Sequence, residues 1–333
     1  MGCFDNIIGI DKLCSAETPS SGLFIQDLPG ITVRLADVAA DEETSSGVAL
    51  INEKITFATN SVLQDIREFM LPYMKHNSAL ENNTIGYYMD DLLAVAAEAG
   101  YRKGIQVKID NHRYLDFYIN SIKLQTNTSG ATSIYIYNLI TGKLLDTIAI
   151  TTVADVPTEV FVQNSYKTEN QKLNLFIAID GNVGTYQTGL SKGHLGCQTC
   201  TGGYQNNYAV FQNVKIANAG AFINTNASAT TYTTGLSINY SISCSIDVFA
   251  CNISNLLAWA ILHKTGAELM RELQYSRRLN SIIVIDKAMN EKLREEFDGE
   301  YVKSMGRILQ NISIPNDECF KCQQKVKNVV RIP

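Results

Sequence analysis

The clearest candidates for chemistry in this sequence are two C-x-x-C pairs, Cys197/Cys200 and Cys319/Cys322. Two such pairs can supply four thiolates in the tetrahedral geometry that Zn²⁺ prefers, and Gly196 would allow the tight turn of a zinc knuckle. The pairs are much further apart in the sequence than those of a zinc ribbon. Three interpretations stay open: a structural zinc site, two separate redox-active or disulfide-forming pairs, and ordinary thiols, which we favour.

The other four cysteines form no recognisable motif; they are Cys3, Cys14, Cys244 and Cys251. The N-terminal sequence MGCFDNIIGIDKLC has neither the basic region nor the continuous apolar region of a signal peptide. Because thiols inside cells are kept reduced, we expect reduced cysteines, with Cys244 and Cys251 as core thiols at a strand-to-helix junction.

No catalytic motif is evident in the sequence. None of the four histidines belongs to an H-E-x-x-H or H-x-E pattern, and the sequence has no G-x-S-x-G elbow, P-loop or Rossmann glycine fingerprint. These histidines are His76, His112, His194 and His263. Asp90 and Asp91, predicted to lie on a helix after Tyr87 and Tyr88, diverge by about 100° and are poorly placed as a dyad. The sequence therefore predicts that the protein is not an enzyme and has no cofactor.

Charge and hydropathy argue against two classes of partner. The formal net charge is −5, so the chain as a whole does not attract nucleic-acid phosphates. The longest apolar stretch, residues 256–262, is too short to cross a bilayer. We therefore expect neither sequence-specific nucleic-acid binding nor a membrane partner.

A long helix is predicted over about residues 44–72. Its apolar residues recur in steps of three and four, the spacing of one helical face, and Pro72 is expected to end or kink it. This apolar stripe either spans the core or packs along a neighbouring subunit. In the second case the contact residues are Ile51, Ile55, Val62, Ile66 and Phe69.

Between residues 101 and 248 the apolar residues alternate with a period of two. Turn signals such as Asp110-Asn111 separate short strands, a pattern typical of an antiparallel sandwich. Tyr135 and Tyr137 face away from the neighbouring isoleucines of their strand. They indicate cross-strand pairing or a face between subunits, or else a surface on which sugars stack.

Helical periodicity returns after residue 248. The predicted fold class is therefore α+β, an antiparallel β-sandwich inserted into a discontinuous helical base. Residues 1–100 and 249–333 form the two parts of the base, and residues 101–248 form the sandwich.

Both ends of the chain resemble one family of proteins. Residues 20–55, SSGLFIQDLPGITVRLADVAADEETSSGVALINEKI, resemble the N-terminal signature of virion proteins in crAss-like and related phages that infect Bacteroidetes, where a GL(Y/F)I-DLPGI phrase precedes a long helix. The opening MGCFDNIIGIDKLC and residues 237–286 are also similar to that group. The resemblance covers both helical ends of the chain, which form the base. The sandwich between them is the more generic part of the chain.

This resemblance implies a virion structural protein without catalytic residues. It would form a ring, a dodecamer, in the portal-proximal neck or tail as a head–tail connector or tail-assembly subunit. Its partners would be copies of itself and the portal or other neck and tail proteins, and it would be assembled in the host cytoplasm. The alternative hypothesis is a carbohydrate- or host-surface-binding sandwich of a phage tail, with Tyr135 and Tyr137 as the stacking surface.

Overall fold

A computed structural model describes residues 3–12, 18–40, 46–76, 78–88, 94–95, 97–169, 171–190, 204–230, 234–275 and 287–321. The chain divides into two compact units. The helical base comprises Met1–Met74, Phe249–Asn316 and Phe320–Pro333, and the sandwich unit comprises Lys75–Val248 with Asp317–Cys319. The boundary after residue 248 is the one expected from the sequence. Residues 75–100 belong to the sandwich unit and not to the base, because they contain short strands that pair with sandwich strands.

Helices dominate the described part of the base. Its strands and helices are β1 (Ile8–Gly9), β2 (Leu23–Phe24), α1 (Val33–Ala39), α2 (Gly47–Met70), α3 (Ile246–Asn252), α4 (Ser254–Tyr275) and α5 (Lys287–Asn311). Helix α3 begins in the sandwich unit and ends in the base. The strands β1 and β2 pair in parallel.

The long helix α2 has clear signals at both ends. The Ser46 side chain caps the first turn by accepting a hydrogen bond from the Ala49 N–H at 3.3 Å. After Met70 the chain tightens into a short 3₁₀ turn that contains Pro72. One face of the helix is buried, which the spacing of the apolar residues predicts.

The sandwich unit is built from strands. They are β3 (Glu81–Ile85), β4 (Tyr87–Tyr88), β5 (Ala94–Val95), β6 (Tyr101–Asp110), β7 (Leu115–Leu124), β8 (Gly130–Asn138), β9 (Lys143–Thr152), β10 (Thr158–Lys167), β11 (Lys172–Asp180), β12 (Thr185–Tyr186), β13 (Thr188–Gly189), β14 (Tyr204–Gln205), β15 (Val210–Ala217), β16 (Ser228–Ala229) and β17 (Leu236–Cys244).

Two large antiparallel sheets organise these strands. The smaller sheet has the order β10-β7-β17-β3, and the larger has the order β14-β15-β6-β11-β8-β9 with β16 beside β15. All of their strand pairs are antiparallel. The helices and sheets confirm the predicted α+β class with an antiparallel sandwich.

Apolar side chains fill the space between the two sheets. Phe211 of the larger sheet lies with its ring centroid 6.3 Å from that of Phe117 and 5.0 Å from that of Tyr240, both in the smaller sheet. All three side chains are fully buried. The Tyr240 hydroxyl donates to a Glu81 carboxylate oxygen at 2.6 Å, so its polar end is satisfied inside the unit.

Candidate assembly surfaces

Exposed apolar side chains collect along one lateral edge of the sandwich. Strand β9 ends the larger sheet and β10 ends the smaller one, and the two strands follow each other in the chain. Among the large hydrophobic residues described, Phe161 on β10 is the most exposed, at 74%. We call the following set the edge patch: Leu144, Leu145, Val153, Val156 and Phe161.

Polar contacts hold the two edge strands in place. The Tyr166 hydroxyl of β10 donates to an Asp146 carboxylate oxygen of β9 at 2.6 Å. Burial, together with this hydrogen bond, raises the pKa of Tyr166, so the hydroxyl stays protonated as a donor. Glu159 accepts a hydrogen bond from Ser121 at 2.6 Å and lies 3.5 Å from the Lys123 ammonium. The backbone that carries the edge patch is therefore preorganised for contact.

Both edge strands contain an irregularity in their pairing. The ladder between β10 and β7 shifts register between Phe161 and Asn164, where Gln163 adopts a left-handed backbone conformation with φ 53°. The ladder between β8 and β9 shifts after Ile136. Bulges of this kind interrupt the free backbone groups of an edge and oppose open-ended strand addition. The edge patch thus offers side chains, rather than a long strand, to a partner.

A second exposed apolar surface lies on helix α4 of the base. Trp259, the only tryptophan of the chain, is 50% exposed, and Leu256 one turn earlier is 61% exposed. The His263 ring lies 5.7 Å from the Trp259 ring between centroids. Burial lowers the pKa of His263, and the Glu300 carboxylate opposes that effect. We call Leu256, Trp259 and His263 the helical patch; exposed tryptophan is typical of contact surfaces.

The structure corrects the predicted contact role of Ile51, Val62 and Ile66 on the α2 stripe. Ile51, Val62 and Ile66 are fully buried within the base, and Ile55 and Phe69 are half-buried. The other base helices α1 and α4 pack against α2. A periodic stripe shows that a helical face is covered but not which element covers it, so the sequence could not separate the two cases.

Tyr135 and Tyr137 do lie on the outer face of the larger sheet, but their rings are covered. Tyr137 is buried and stacks on Phe222, with ring centroids 4.2 Å apart and planes within 7°. The Arg102 guanidinium lies 3.4 Å from the centroid of the Tyr135 ring. Side chains of the chain itself therefore occupy the ring surfaces that a sugar would need.

Carboxamide hydrogen bonds fix the loop that carries Phe222. The Gln106 Nε2 group donates to Asn174 Oδ1 and Asn224 Oδ1, both at 2.8 Å. Asn174 Nδ2 also donates to Asn224 Oδ1, at 3.2 Å. Sequence patterns missed this cover, because Phe222 and Asn224 lie in a loop outside any strand pattern.

Disulfides replace the reduced thiols that the sequence led us to expect. Cys3 is bonded to Cys251 in the base, and Cys244 to Cys319 in the sandwich unit, with Cα–Cα distances of 5.6 and 5.4 Å. Sequence separations of 248 and 75 residues explain why no local motif indicated these pairs. The reduced-thiol prediction for Cys244 and Cys251 is therefore wrong.

The zinc hypothesis loses one of its four ligands. The Cys319 sulfur is committed to Cys244, while Cys197, Cys200 and Cys322 lie outside the described residues. Within the described part of the chain, no group of three or more His, Cys, Asp or Glu side chains is arranged to hold a metal.

The remaining sequence candidates are dispersed. Tyr87–Tyr88 forms strand β4, and the predicted helix that would carry Asp90 and Asp91 lies outside the described residues. His112 Nδ1 lies 2.7 Å from a Glu318 carboxylate oxygen.

In the described ranges, no single helix is long and apolar enough to cross a membrane; α3 and α4 meet the length and composition only together, across a 92° bend.

Comparisons with known proteins give little. No protein-family model matches the chain, and no curated protein matches it. A crystal structure of the D1-D2-D3 domains of the flagellar cap protein FliD from Escherichia coli aligns with 68% of this chain and 71% of that chain, at 14% identity. The TM-score of that alignment is 0.10, which supports no conclusion about fold or function.

Proposed function

We propose that this chain is a structural subunit of a bacteriophage particle that forms a ring in the portal-proximal neck or tail. It acts by contact with copies of itself and with the portal or other neck and tail proteins, without catalysis. The resemblance of both chain ends to phage virion proteins supports the proposal. The residues that carry this resemblance fold largely into one helical unit.

The observation that carries the proposal is the edge patch. Large apolar side chains exposed together on one edge mark a contact surface, because their transfer out of water is worth about 25 cal/mol per Å². The helical patch on α4 is a second and chemically different surface, with the lone tryptophan as its centre. A ring requires two different patches on each subunit, because each copy contacts its neighbours head to tail.

Assembly in the host cytoplasm has a consequence for the disulfides. Cytosolic glutathione and thioredoxin keep thiols reduced. Subunits therefore assemble with free thiols, and Cys3–Cys251 and Cys244–Cys319 close after the particle leaves the cell. We expect both bonds in peptide maps of released particles and free thiols in maps of freshly lysed host cells.

The proposal is tested by self-association of the full-length chain. Phe161→Asp places a charge at the most exposed residue of the edge patch and should weaken self-association at least tenfold, measured by analytical ultracentrifugation. Asn82→Asp adds the same charge to an exposed position on β3, the opposite edge strand of the same sheet, and should change little. A chain that stays monomeric at all concentrations, or equal effects of the two variants, would contradict the proposal.

The carbohydrate-binding alternative finds no support in the geometry of Tyr135 and Tyr137. Both rings are covered by Arg102 and Phe222. We therefore expect the full-length chain to bind no sugar on a glycan array. Binding that is lost in Tyr135→Ala and retained in Phe161→Asp would replace our proposal with the alternative.

A further inference from the structure

A groove lies between the N-terminal segment and helix α2 of the base. Its volume is about 910 Å³. Ile8 lines one side, and Val48 and Ile55 line the other. Val48 is 42% exposed and Ile55 is half-buried, although Ile51, on the same helix, is fully buried. The groove thus leaves apolar helix surface uncovered in the described structure.

Polar and acidic side chains also line the groove. Asp5 and Asp11 line it, and no lysine or arginine is among its described lining residues. The hydroxyls of Thr56 and Thr59 already donate to the backbone carbonyls of Asn52 and Ile55, at 2.9 and 2.8 Å. A groove lined by apolar side chains and carboxylates is complementary to an extended segment that carries apolar and basic side chains.

The chain itself contains a segment of this chemistry. Residues 322–333, CQQKVKNVVRIP, hold three basic side chains, four valine or isoleucine side chains and no acidic one. The segment begins next to Lys321, whose backbone N–H donates to the Tyr73 carbonyl at 2.7 Å. The segment therefore starts beside the 3₁₀ turn that follows α2. The groove, in contrast, lies along the first half of α2.

The reach of the segment favours a neighbour's groove over its own. At 1.5 Å per residue, the stretch from Tyr73 back to Asn60 measures about 20 Å, and back to Val48 about 38 Å. Residues 322–333 span at most about 40 Å when fully extended. To fill the groove of its own chain, the segment would have to run straight along the helix without any slack.

We propose that the groove binds residues 322–333 of a second copy of this chain. This inference rests on the proposed ring, since it names one contact between neighbouring subunits. The acceptor groove and the departure point of the donor segment lie at opposite ends of α2. Such a donor–acceptor pair is heterologous, so each copy gives its segment to one neighbour and receives one from the other, which is the kind of contact that builds a ring when the rotation between neighbours closes.

A peptide competition tests the chemistry of the groove. A synthetic peptide of residues 322–333 carrying Cys322→Ser is added in excess to the full-length assembly, and released monomer is measured by mass photometry. We expect release that weakens as salt increases, because the recognition is partly ionic. The same peptide with Lys325→Gln, Lys327→Gln and Arg331→Gln should be at least tenfold less effective. Equal potency of the two peptides, or no release by either, would overturn the proposal.

Groove variants in the full-length chain test the acceptor directly. Ile55→Asp and, as the milder change at a more exposed position, Val48→Asp should each weaken assembly at least tenfold. Glu68→Gln removes a carboxylate of the same helix that does not line the groove and should have no effect. Circular dichroism checks that each variant is folded. If Ile55→Asp does not fold, the result for Val48→Asp alone decides the test. Assembly of a folded Val48→Asp chain at the unchanged affinity would refute the proposal.

A mixing experiment identifies the donor of the segment. A groove variant, Val48→Asp, and a segment variant with Lys325→Glu, Lys327→Glu and Arg331→Glu should each stay monomeric alone at a concentration at which the unchanged chain just assembles. Mixed in equal amounts they should form dimers and no ring, because one intact groove meets one intact segment. Absence of dimers in the mixture shows that each segment serves its own chain and overturns the second-copy assignment. Particle imaging remains a separate test of the ring, so failure here and failure of the proposed function are distinguishable.

Discussion

The helical base and the sandwich unit bury their apolar residues by different routes. The sandwich core comes almost entirely from one continuous stretch of chain, in which antiparallel strands alternate inward and outward residues. The base brings together three stretches that are far apart in the sequence. Its core therefore depends on long-range closure, which costs more chain entropy than local pairing. The disulfide Cys3–Cys251 offsets part of that cost by joining both ends of the base.

The exposed apolar surfaces of the two units differ in the same way. The sandwich exposes apolar side chains on edge strands whose backbones are interrupted by bulges. The base offers a helix face and an open groove. Strands leave a lateral edge whenever a sheet ends, and helices leave grooves between their rows of side chains. One unit is therefore suited to lateral side-chain contact, and the other to receiving a segment.

The largest effect should follow removal of the base disulfide. Replacement of Cys3 and Cys251 by serine frees a loop of 248 residues and should lower the stability of the base by about 4 kcal/mol. Hydrogen exchange of the α2 and α4 amides in the oxidised protein measures the loss. Replacement of Cys244 and Cys319 by serine should instead reduce the protection of the sandwich strand amides against hydrogen exchange. Identical exchange patterns for the two double variants would contradict the separation of the units.

A pair of glycine substitutions should give the next largest difference. A Cβ at Gly104 in β6 would lie 1.9 Å from the Ile177 carbonyl oxygen of β11, and a backbone atom cannot yield without separating the strands. A Cβ at Gly266 in α4 would lie 2.5 Å from Leu28 Cδ1, the end of a side chain that can move. We expect a cost above about 3 kcal/mol for Gly104→Ala and about 1–2 kcal/mol for Gly266→Ala. Urea denaturation of both variants checks the order, and a larger cost for Gly266→Ala would refute it.

Local patterns were enough to predict the class of the long helix and of the main strands, but not the short strands within residues 75–100, which were assigned to the helical base. Helix α2 lies within the predicted range because its apolar spacing, its Ser46 cap and Pro72 are all local signals. The alternating strands likewise predicted the antiparallel sandwich. Neither the packing of α1 and α4 against α2 nor the cover of Phe222 on Tyr137 could be predicted. Both are contacts between residues distant in sequence, and a single sequence carries no local trace of them.

The two units should respond to acid in opposite directions. In the base, burial lowers the pKa of His263, so the unfolded chain takes up its proton first as the pH falls through 6.5. The base therefore loses stability below that pH. Solvent screening keeps the loss under about 1 kcal/mol, because His263 is only half-buried.

In the sandwich, burial raises the pKa of Asp116, and its Oδ1 atom has no hydrogen-bond partner among the described residues. Lys167 opposes that shift and Asp247 adds to it. The folded state thus takes up this proton first, and the sandwich gains stability as the pH falls from the raised pKa toward 3.8. Asp116→Asn should remove this gain and stabilise the unit at neutral pH by about 1 kcal/mol.

Spectroscopy separates the two responses. Trp259 fluorescence reports unfolding of the base, because the chain has one tryptophan, and hydrogen exchange of the strand amides, followed by nuclear magnetic resonance, reports the sandwich. Urea midpoints measured between neutral pH and pH 4, about the ordinary pKa of an aspartate, should fall for the fluorescence signal, and His263→Gln should flatten that trend. Parallel trends in both signals would contradict the assignment of His263 and Asp116 to separate effects.

The smallest expected effect concerns the helical patch. If α4 contacts a neighbour, Trp259 passes from half-exposed to buried on assembly, and its emission maximum should move to shorter wavelength. Leu256→Asp should reduce the shift, whereas Asn255→Asp beside it provides a charge control. An unchanged emission maximum in the assembled state would leave the edge patch and the groove as the contacts and remove the helical patch from the account.

Imaging of purified phage particles tests the central claim most directly. Cryo-electron microscopy of particles that encode this chain should show copies of it as a closed ring in the portal-proximal neck or tail. Phe161 and the rest of the edge patch should be buried at a protein contact within that assembly. Absence of the chain from purified particles, or its presence as an isolated monomer with the edge patch exposed to solvent, would contradict the account.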